Sequence, residues 1–197
     1  MEEPANRSLR EQKKALRKEV VAQAKALPEP KRRQADAAIC RLLRSLPEYR
    51  QAKTIFCFVG VDYEIDTKPF LAQVLEDGKR LTVPLCTGKG LMEARQITSL
   101  EDLQQGHYGL LEPREDSPAI QKEDIDFAVI PCVTANHRGM RMGHGGGYYD
   151  RMFEGEEELP AAVICREALT RQEIPEESFD HRFSITVTDQ GVFRQSH

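Results

Sequence analysis

The sequence predicts an α/β fold in which a mainly parallel sheet is flanked by helices. Five short runs are rich in β-branched or aromatic residues and mostly do not alternate with polar positions, as expected of strands covered on both faces. Segments with helical periodicity lie before and between these runs, which favours a Rossmann-like, three-layer architecture. The predicted strands are residues 54–59 (TIFCFV), 80–84 (RLTVP), 127–131 (FAVIP), 161–165 (AAVIC) and 184–188 (SITVT).

Length and composition indicate one domain. A chain of 197 residues with 40% hydrophobic residues can bury a large core, so we expect residues 1–197 to form a single unit with a polar, partly mobile N-terminus over residues 1–12. The formal charge of -4 gives no general attraction to a polyanion such as DNA, so an anionic ligand needs a local cluster of cations. We therefore expect no nucleic-acid partner. We also expect no membrane partner, because no apolar run approaches the ~20 residues that cross a bilayer.

The cysteines indicate a reducing compartment. They are odd in number and far apart, and no pair has the C-x-x-C spacing that zinc sites favour. We therefore expect a cytoplasmic location. The five positions are Cys40, Cys57, Cys86, Cys132 and Cys165.

Two helices are predicted before the first strand. Ser8 and Glu11 have the spacing of a capping box, and apolar residues then recur at helical spacing until Pro28. A second apolar stripe begins after Pro30 and is ended by Pro47. Both stripes must face a core.

One further helix joins the first two strands into a βαβ unit. Thr67 is expected to cap this helix and Gly78 to end it. Residues 85–125 give the weakest pattern, with turns at glycines and one short helix over residues 99–104. Because ligands of parallel sheets gather at the carboxyl ends of the strands, the loops after Val59 and Pro131 are the expected site.

The most informative segment is the glycine-rich run 141–151 (RMGHGGGYYDR). Closely spaced glycines let backbone N–H groups approach an anion, and a helix over residues 148–154 would add a favourable dipole. The run is not the dinucleotide fingerprint G-x-G-x-x-G, because Tyr148 stands where the third glycine would be. It is not a Walker A loop either, because no Lys-Ser or Lys-Thr pair follows the glycines. By the glycines alone, a flexible turn is an equally good interpretation. The glycines are Gly143, Gly145, Gly146 and Gly147.

Charged residues beside the glycines favour a metal–nucleotide site. Arg141 can fork onto phosphate oxygens, and Asp150 offers the hard oxygen that a magnesium ion held by nucleotide phosphates prefers. Lys13 and Arg17 lie four residues apart on one face of the first helix and can converge on one anion. Two solvated charges on a surface helix are the alternative interpretation of that pair.

These residues carry a resemblance to a known family. The pattern R-x-G-x-G-x-G-Y-Y-D over residues 141–150 resembles the signature of 5-formyltetrahydrofolate cyclo-ligases. The family's K-x-x-L-R is matched by residues 13–17, its E-I-x-T by residues 64–67 and its P-x-E-x-x-D by residues 175–180. Tyr108–Gly109 and Glu112–Pro113 are similar to a further segment near the folate pocket. The resemblance covers the chain from about Lys13 to Thr188.

The resemblance implies an enzyme that uses ATP and Mg²⁺ to cyclise 5-formyltetrahydrofolate, with or without a polyglutamate tail, to 5,10-methenyltetrahydrofolate. The formyl oxygen would attack the terminal phosphate of ATP, N10 would add to the formyl carbon, and ADP and phosphate would be released. Such phosphoryl transfer needs positioning and charge neutralisation more than a protein nucleophile. We expect the enzyme to act as a monomer.

The resemblance also assigns roles to single residues. Arg141 and Tyr149 are expected to be catalytic, and Asp150 and Asp180 to bind the metal. The expected nucleotide contacts are Lys13, Lys14, Arg17, Arg141, Gly143, Gly145, Gly146, Gly147, Tyr148 and Tyr149. The expected folate contacts are Val59, Glu64, Tyr108, His144 and Tyr148.

The chain departs from the family pattern at five positions. Ala135 and Asn136 replace a Phe-Asp pair, and Cys132 replaces a glycine that often follows the strand proline. Near Asp180, Phe179 and Ser184 stand where a histidine and an aspartate are frequent. Two alternatives therefore remain: a non-catalytic folate- or nucleotide-binding member, and an enzyme of another class on a related sheet, such as a sugar-phosphate isomerase or CoA transferase.

Overall fold

The computed structural model describes residues 8–106, 109–156, 158–177 and 180–195. Across these ranges the chain forms one eight-stranded mixed sheet, two small two-stranded sheets and five α-helices. The helices are α1 (Leu9–Ala26), α2 (Glu29–Ser45), α3 (Pro47–Gln51), α4 (Lys68–Glu76) and α5 (Tyr148–Met152). The strands are β1 (Thr54–Cys57), β2 (Arg80–Gly88), β3 (Leu91–Ile97), β4 (Leu103–Gln105), β5 (Leu111–Pro113), β6 (Ala119–Ile120), β7 (Phe127–Ile130), β8 (Thr134–Ala135), β9 (Arg141–Met142), β10 (Ala161–Ile164), β11 (Ile185–Thr188) and β12 (Gly191–Arg194).

The large sheet has the strand order β12-β11-β10-β7-β1-β2-β3-β6. Its five inner strands β11, β10, β7, β1 and β2 are parallel, and they are the five strands that the sequence predicts. Antiparallel strands are added at both sides, with β12 beside β11 and with β3 and β6 beyond β2. The predicted α/β class with a mainly parallel sheet is confirmed.

Two apolar cores lie on opposite faces of the sheet. Successive residues of β1 show the division, because Ile55 packs into the core that holds α2 and α4, whereas Phe56 packs into the core that holds α1. All four residues of β1 are buried. The strand sequences therefore lack alternation because both faces of the sheet are covered, as expected. The sheet and the helices on its two faces form three layers.

The N-terminal helices begin and end close to the predicted positions. Ser8 and Glu11 form the expected capping box, with the Glu11 amide 3.4 Å from Ser8 Oγ and the Ser8 amide 3.0 Å from Glu11 Oε2. Residues 8–12, assigned to the polar N-terminus, are thus the cap and first turn of α1. Helix α2 begins at Glu29 and contains Pro30 in its first turn, where a proline is tolerated.

Thr67 is the N-cap residue of α4, as predicted, but its hydroxyl makes no hydrogen bond to the first turn of the helix. Thr67 precedes the helix, but its Oγ1 donates to the Phe58 carbonyl at 2.8 Å and accepts from the Gly60 amide at 3.0 Å. These two bonds tie the start of the helix to the chain that leaves β1. Gly78 follows the helix with φ 71°, as expected of a left-handed stop.

The segment 85–125 contains strands that the sequence did not predict. Strand β2 continues to Gly88 and turns into β3, which pairs with β6 near the sheet edge. The expected helix over residues 99–104 is only a 3₁₀ turn at Leu100–Asp102. The helix after the glycines also ends at Met152 instead of residue 154. The second half of β2 and strand β3 are only partly buried and carry many polar residues, so their apolar pattern is weak.

Candidate functional site

A pocket of about 850 Å³ opens at the carboxyl ends of β1, β2 and β7, where parallel sheets bind ligands. The first helix and the segment before β11 also contribute to its wall through Arg17 and Asp180. The structure therefore brings together residues that are far apart in the sequence. The predicted site residues that line it are Arg17, Val59, Glu64, Arg141, Gly143, His144, Gly145, Gly146, Gly147, Tyr148, Tyr149, Asp150 and Asp180.

Three predicted residues do not line the pocket or cannot be placed in it. Lys13 is buried behind the wall, where it contacts two residues that do line the pocket. Lys14 is exposed on α1. Tyr108 lies outside the described residues.

The glycine loop between β9 and α5 depends on backbone conformations that favour glycine. Gly145 has φ 96° and Gly147 has φ 64°, both in the left-handed region. A Cβ at Gly147 would also lie 2.8 Å from a guanidinium nitrogen of Arg151. Because α5 has only five residues, the expected helix dipole is small, and the N–H groups of the loop itself are the main backbone donors.

Two arginines fix the loop from opposite sides. Arg17 of α1 donates from Nε to the Gly143 carbonyl at 2.8 Å. Arg151 of α5 donates to the Gly146 carbonyl and, at 2.8 Å, to the Gly90 carbonyl in the turn between β2 and β3. The loop is therefore held against both the first helix and the sheet edge.

Arg141 supplies a buried cation at the base of the pocket. Its side chain is 3% exposed and its Nη2 lies 2.7 Å from Asp150 Oδ1. Its Nε is buried without a hydrogen-bond partner in the described part of the chain. The guanidinium lies directly under the loop, because a Cβ at Gly143 would be 2.8 Å from Nη1. A buried donor without a partner is costly, and an anionic ligand would satisfy it.

Lys13 forms a buried cluster with two carboxylates. Its Nζ lies 2.6 Å from Asp180 Oδ2 and 2.7 Å from Glu177 Oε2, and the Glu177 amide donates to the same Asp180 oxygen at 2.8 Å. Burial alone lowers the pKa of Lys13, but the bonds to Asp180 and Glu177 outweigh it, so the pKa lies above its usual value. The ammonium is therefore charged at neutral pH.

Asp150 and Asp180 fit the role of metal ligands only for an ion that a bound nucleotide also holds. Among the residues that the structure describes, no group of three or more His, Cys, Asp or Glu side chains could hold a metal ion. Magnesium, however, is commonly held by one or two carboxylates together with substrate phosphates. Two carboxylates beside a phosphate-binding loop thus fit an ion that arrives with a nucleotide.

Glu64 and His144 are neighbours in the pocket lining. Glu64 Oε2 accepts from the Val61 amide at 3.1 Å, and burial raises the pKa of Glu64. His144 Nε2 lies 2.8 Å from the Tyr63 hydroxyl and 3.9 Å from Glu64 Oε1. Although the side chain of His144 is half exposed, its partial desolvation in the pocket and the charges of Arg17 and Arg141 lower its pKa, so its imidazole is mainly neutral at pH 7.

Tyr149 is partly buried and packs against both cores. Its ring lies 6.3 Å from that of Phe56 and 5.8 Å from the Arg141 guanidinium carbon. Burial and the charge of Glu64 raise its pKa far above the usual value. The hydroxyl therefore stays protonated at neutral pH.

Some pocket residues were missed by the sequence analysis. Tyr63 directly precedes Glu64, and its position next to the E-I-x-T pattern could have indicated that it lines the pocket. Cys86 and Met92 lie on β2 and β3, and Glu112, noted only as part of a weak motif, is buried there with its Oε1 3.0 Å from the Cys86 amide. Cys86 and Met92 could not be found, because the β2–β3 hairpin that carries them was not predicted, whereas Glu112 on β5 had been noted in a segment near the folate pocket.

Comparison with known proteins gives consistent results. A family model described as the 5-formyltetrahydrofolate cyclo-ligase family matches residues 9–189. A Schizosaccharomyces pombe protein named "Probable 5-formyltetrahydrofolate cyclo-ligase" is 27% identical over 173 residues, which cover 80% of this chain and 85% of that protein. The mitochondrial 5-formyltetrahydrofolate cyclo-ligase of Arabidopsis thaliana is 30% identical over 163 residues, covering 75% of this chain and 59% of that protein.

A solved structure has the same fold. The NMR structure of Aquifex aeolicus 5,10-methenyltetrahydrofolate synthetase superposes with a TM-score of 0.83 and is 27% identical in sequence. The match covers 94% of this chain and 93% of that one. Within the described ranges, every helix of this chain is too short or too polar to cross a membrane.

Proposed function

Because the chain belongs to the 5-formyltetrahydrofolate cyclo-ligase family, we propose that its pocket binds ATP with Mg²⁺ beside 5-formyltetrahydrofolate and closes the folate ring. The activity of the family is the ATP-dependent conversion of 5-formyltetrahydrofolate to 5,10-methenyltetrahydrofolate, with release of ADP and phosphate. Family membership favours this catalytic function over a non-catalytic binding module and over an unrelated enzyme on the same sheet.

One observation carries the nucleotide assignment. The buried guanidinium of Arg141 lies against Gly143, and its Nε has no hydrogen-bond partner in the described chain. A phosphate oxygen above the loop would accept from this donor and from the backbone N–H groups of residues 143–147. Arg17 already touches the same loop and would add a second positive charge.

The two proposed metal ligands are each bonded to a cation in this structure. Asp150 is paired with Arg141 and Asp180 with Lys13. A bound polyphosphate would attract Arg141 and Lys13, and Mg²⁺ would attract the two carboxylates. Nucleotide and ion together would therefore replace the partners that each ion pair loses. When bound, the ion would neutralise charge on the transferring phosphate. The contact of Lys14 with the nucleotide rests on the family resemblance alone.

The folate would occupy the part of the pocket around Glu64. A carboxylate can accept two hydrogen bonds from the amino-pyrimidine edge of a pterin, and Glu64 lies in the loop that follows β1. Val59, His144 and Tyr148 line the same space, and Tyr108 is assigned there by resemblance only. The proposed substrate thus meets the nucleotide at the glycine loop.

The chemistry requires positioning more than covalent help from the protein. The formyl group on N5 is an amide whose oxygen leaves poorly, and transfer of phosphate to that oxygen allows N10 to add and phosphate to depart. Arg141, Arg17 and the loop amides would neutralise and orient the phosphate, and Tyr149 would pack beside Arg141. A protonated Tyr149 hydroxyl can donate a hydrogen bond but is not a base at neutral pH.

A spectrophotometric assay tests the proposal. We expect 5,10-methenyltetrahydrofolate to accumulate, measured by its near-ultraviolet absorbance, only when 5-formyltetrahydrofolate, ATP, Mg²⁺ and the protein are all present. Asp150→Ala should abolish turnover and Arg141→Ala should mainly raise the KM for ATP, because they remove the proposed ion ligand and phosphate clamp. Unchanged rates in both variants, measured on protein with wild-type circular dichroism, would refute the site assignment.

Three further expectations remain proposals. The chain is proposed to act as a single domain and as a monomer, which sedimentation can test. A cytoplasmic location is supported by five free cysteines, although the Arabidopsis relative is named as mitochondrial. Turnover of substrates with increasing numbers of glutamates would reveal any preference for a polyglutamate tail.

A further inference from the structure

Arg166 forms a buried ion pair that the sequence analysis did not single out. It lies two residues after the end of β10, and its side chain is 3% exposed. Its Nε lies 2.7 Å from Asp36 Oδ1 and its Nη2 lies 2.9 Å from Asp36 Oδ2, which is the bidentate geometry of a strong arginine–carboxylate pair. Asp36 belongs to α2, so the pair joins two segments 130 residues apart.

The same two side chains hold the loop that follows β1. Arg166 donates from Nη1 to the Tyr63 carbonyl and from Nη2 to the Glu64 carbonyl, each at 2.8 Å. Asp36 Oδ2 also accepts from the Asp66 amide at 3.0 Å. Three backbone groups within four residues are thus fixed by one buried pair.

This loop carries the side chains that face the folate side of the pocket. Glu64 and Tyr63 both line the pocket, and Tyr63 contacts His144 of the glycine loop at 2.8 Å. The loop is also tightly folded, because a Cβ at Gly60 would lie 1.8 Å from the Ile65 carbonyl oxygen. A small shift of its backbone would therefore move the Glu64 carboxylate.

Stability alone is a poor explanation for the pair. Burying two charges costs solvation that their attraction repays only when the geometry is good, and apolar residues of similar size often stabilise as well. The guanidinium of Arg166 makes four hydrogen bonds, to one carboxylate and to two carbonyls of a pocket loop. That bonding pattern fits positioning, which apolar residues could not provide.

We propose that Asp36 and Arg166 are positioning residues for the folate substrate, which hold the backbone of residues 63–66 so that the Glu64 carboxylate meets the pterin. The proposal rests on the proposed function of the pocket. Neither residue lines the pocket, and neither belongs to the glycine loop. Their loss should therefore weaken the use of folate and leave the use of ATP nearly unchanged.

Kinetics of two conservative variants test this role. Asp36→Asn keeps the shape of the side chain, and Arg166→Lys keeps the charge but loses the fork. We expect kcat/KM for 5-formyltetrahydrofolate to fall by about tenfold or more, mainly through KM, because misplacement by about 1 Å can cost about a hundredfold. The KM for ATP should stay within about twofold.

Tyr49→Phe provides a matched control. Tyr49 donates to Asp77 at 2.6 Å and is buried beside Phe70, far from the pocket lining. This variant also loses a hydrogen bond to a carboxylate, so it should lower the melting temperature without changing either KM. A purely structural role for the Asp36–Arg166 pair would give the same result in all three variants, and that would overturn the proposal.

Two further measurements separate this proposal from the proposed function. Amide hydrogen exchange over residues 61–66 should accelerate in Asp36→Asn relative to Tyr49→Phe, even without substrate. Asp36→Asn should also add little to the loss caused by Glu64→Gln, since it acts through Glu64. Additive losses, or unchanged exchange, would contradict the positioning role of Asp36 and Arg166. An inactive wild-type protein would contradict only the proposed function of the pocket.

Discussion

Burial gives individual pocket residues chemical properties that differ from those in water. Glu64 is held in a poorly solvated position that raises its pKa, and His144 lies near two arginines in a site that lowers its pKa. Both shifts favour the neutral form of the side chain in the free protein. A charged ligand would shift the pKa of each side chain, so the titration of either residue can detect binding in the pocket.

For Glu64, we expect opposite effects of Glu64→Gln on stability and on activity. A carboxyl whose pKa is raised in the folded state stabilises the protein below the unfolded pKa, near 4.5, and that stability is lost as pH rises through the folded value. Glu64→Gln should therefore raise the melting temperature at pH 7 and have no such effect below about pH 4.5. The same variant should lose kcat/KM for 5-formyltetrahydrofolate. A lower melting temperature at pH 7 would contradict the pKa shift.

For His144, NMR titration should show a midpoint below the usual 6.5 in the free protein. Adding ATP should raise that midpoint, because phosphate charge offsets Arg17 and Arg141, whose proximity disfavours the imidazolium. His144→Gln identifies the signal by its disappearance. A midpoint that ATP leaves unchanged would show that the nucleotide does not bind beside this loop.

Helix α1 contributes one cation to the pocket lining and a second to the cluster beside it. Val20 and Ala24 bury one face of the helix in the second core, while Lys13 and Arg17 lie on the turns nearer its N-terminus. Arg17 contacts Gly143, and Lys13 contacts Asp180, so one helix reaches both the glycine loop and the acidic segment. The alternative of two solvated surface charges does not describe this pair.

At this scale we predict that Arg17→Met weakens ATP binding more than folate binding. Methionine keeps much of the aliphatic length of arginine but removes the charge and the bond to the Gly143 carbonyl. The KM for ATP should rise by about tenfold, a typical cost of a charge-assisted hydrogen bond. Lys18→Met, an exposed cation one position along the same helix, is the control and should change neither KM.

The pocket exists only because the sheet brings distant segments to one edge. Residues of α1, of the loops after β1 and β7 and of the segment before β11 meet there. A ligand that bridges these segments binds the folded chain and not the unfolded one, so it should stabilise the whole molecule.

Thermal unfolding tests this expectation. ATP with Mg²⁺ at about a hundredfold excess over its Kd should stabilise the protein by roughly 2.7 kcal/mol. For a domain of this size that corresponds to a rise in melting temperature of roughly 5–10 °C. In Asp150→Asn the additional effect of Mg²⁺ over ATP alone should disappear. An equal Mg²⁺ effect in that variant would remove Asp150 from the proposed ion site.

The sequence by itself determined the parts of this protein that depend on local pattern. Unbroken apolar runs predicted the five parallel strands, a capping box predicted the start of α1, and the glycine run predicted the loop that precedes the short helix α5. Strand β3 and the edge strands β6 and β12 were missed, because partly exposed strands share the composition of loops.

Only the tertiary structure decided which side chains meet across the chain. The pairs Lys13–Asp180 and Asp36–Arg166 join positions 167 and 130 residues apart. It also decided that the Thr67 hydroxyl binds the chain leaving β1 instead of capping α4. Local periodicity contains no information about such partners, because they are chosen by the packing of the helices on the two faces of the sheet.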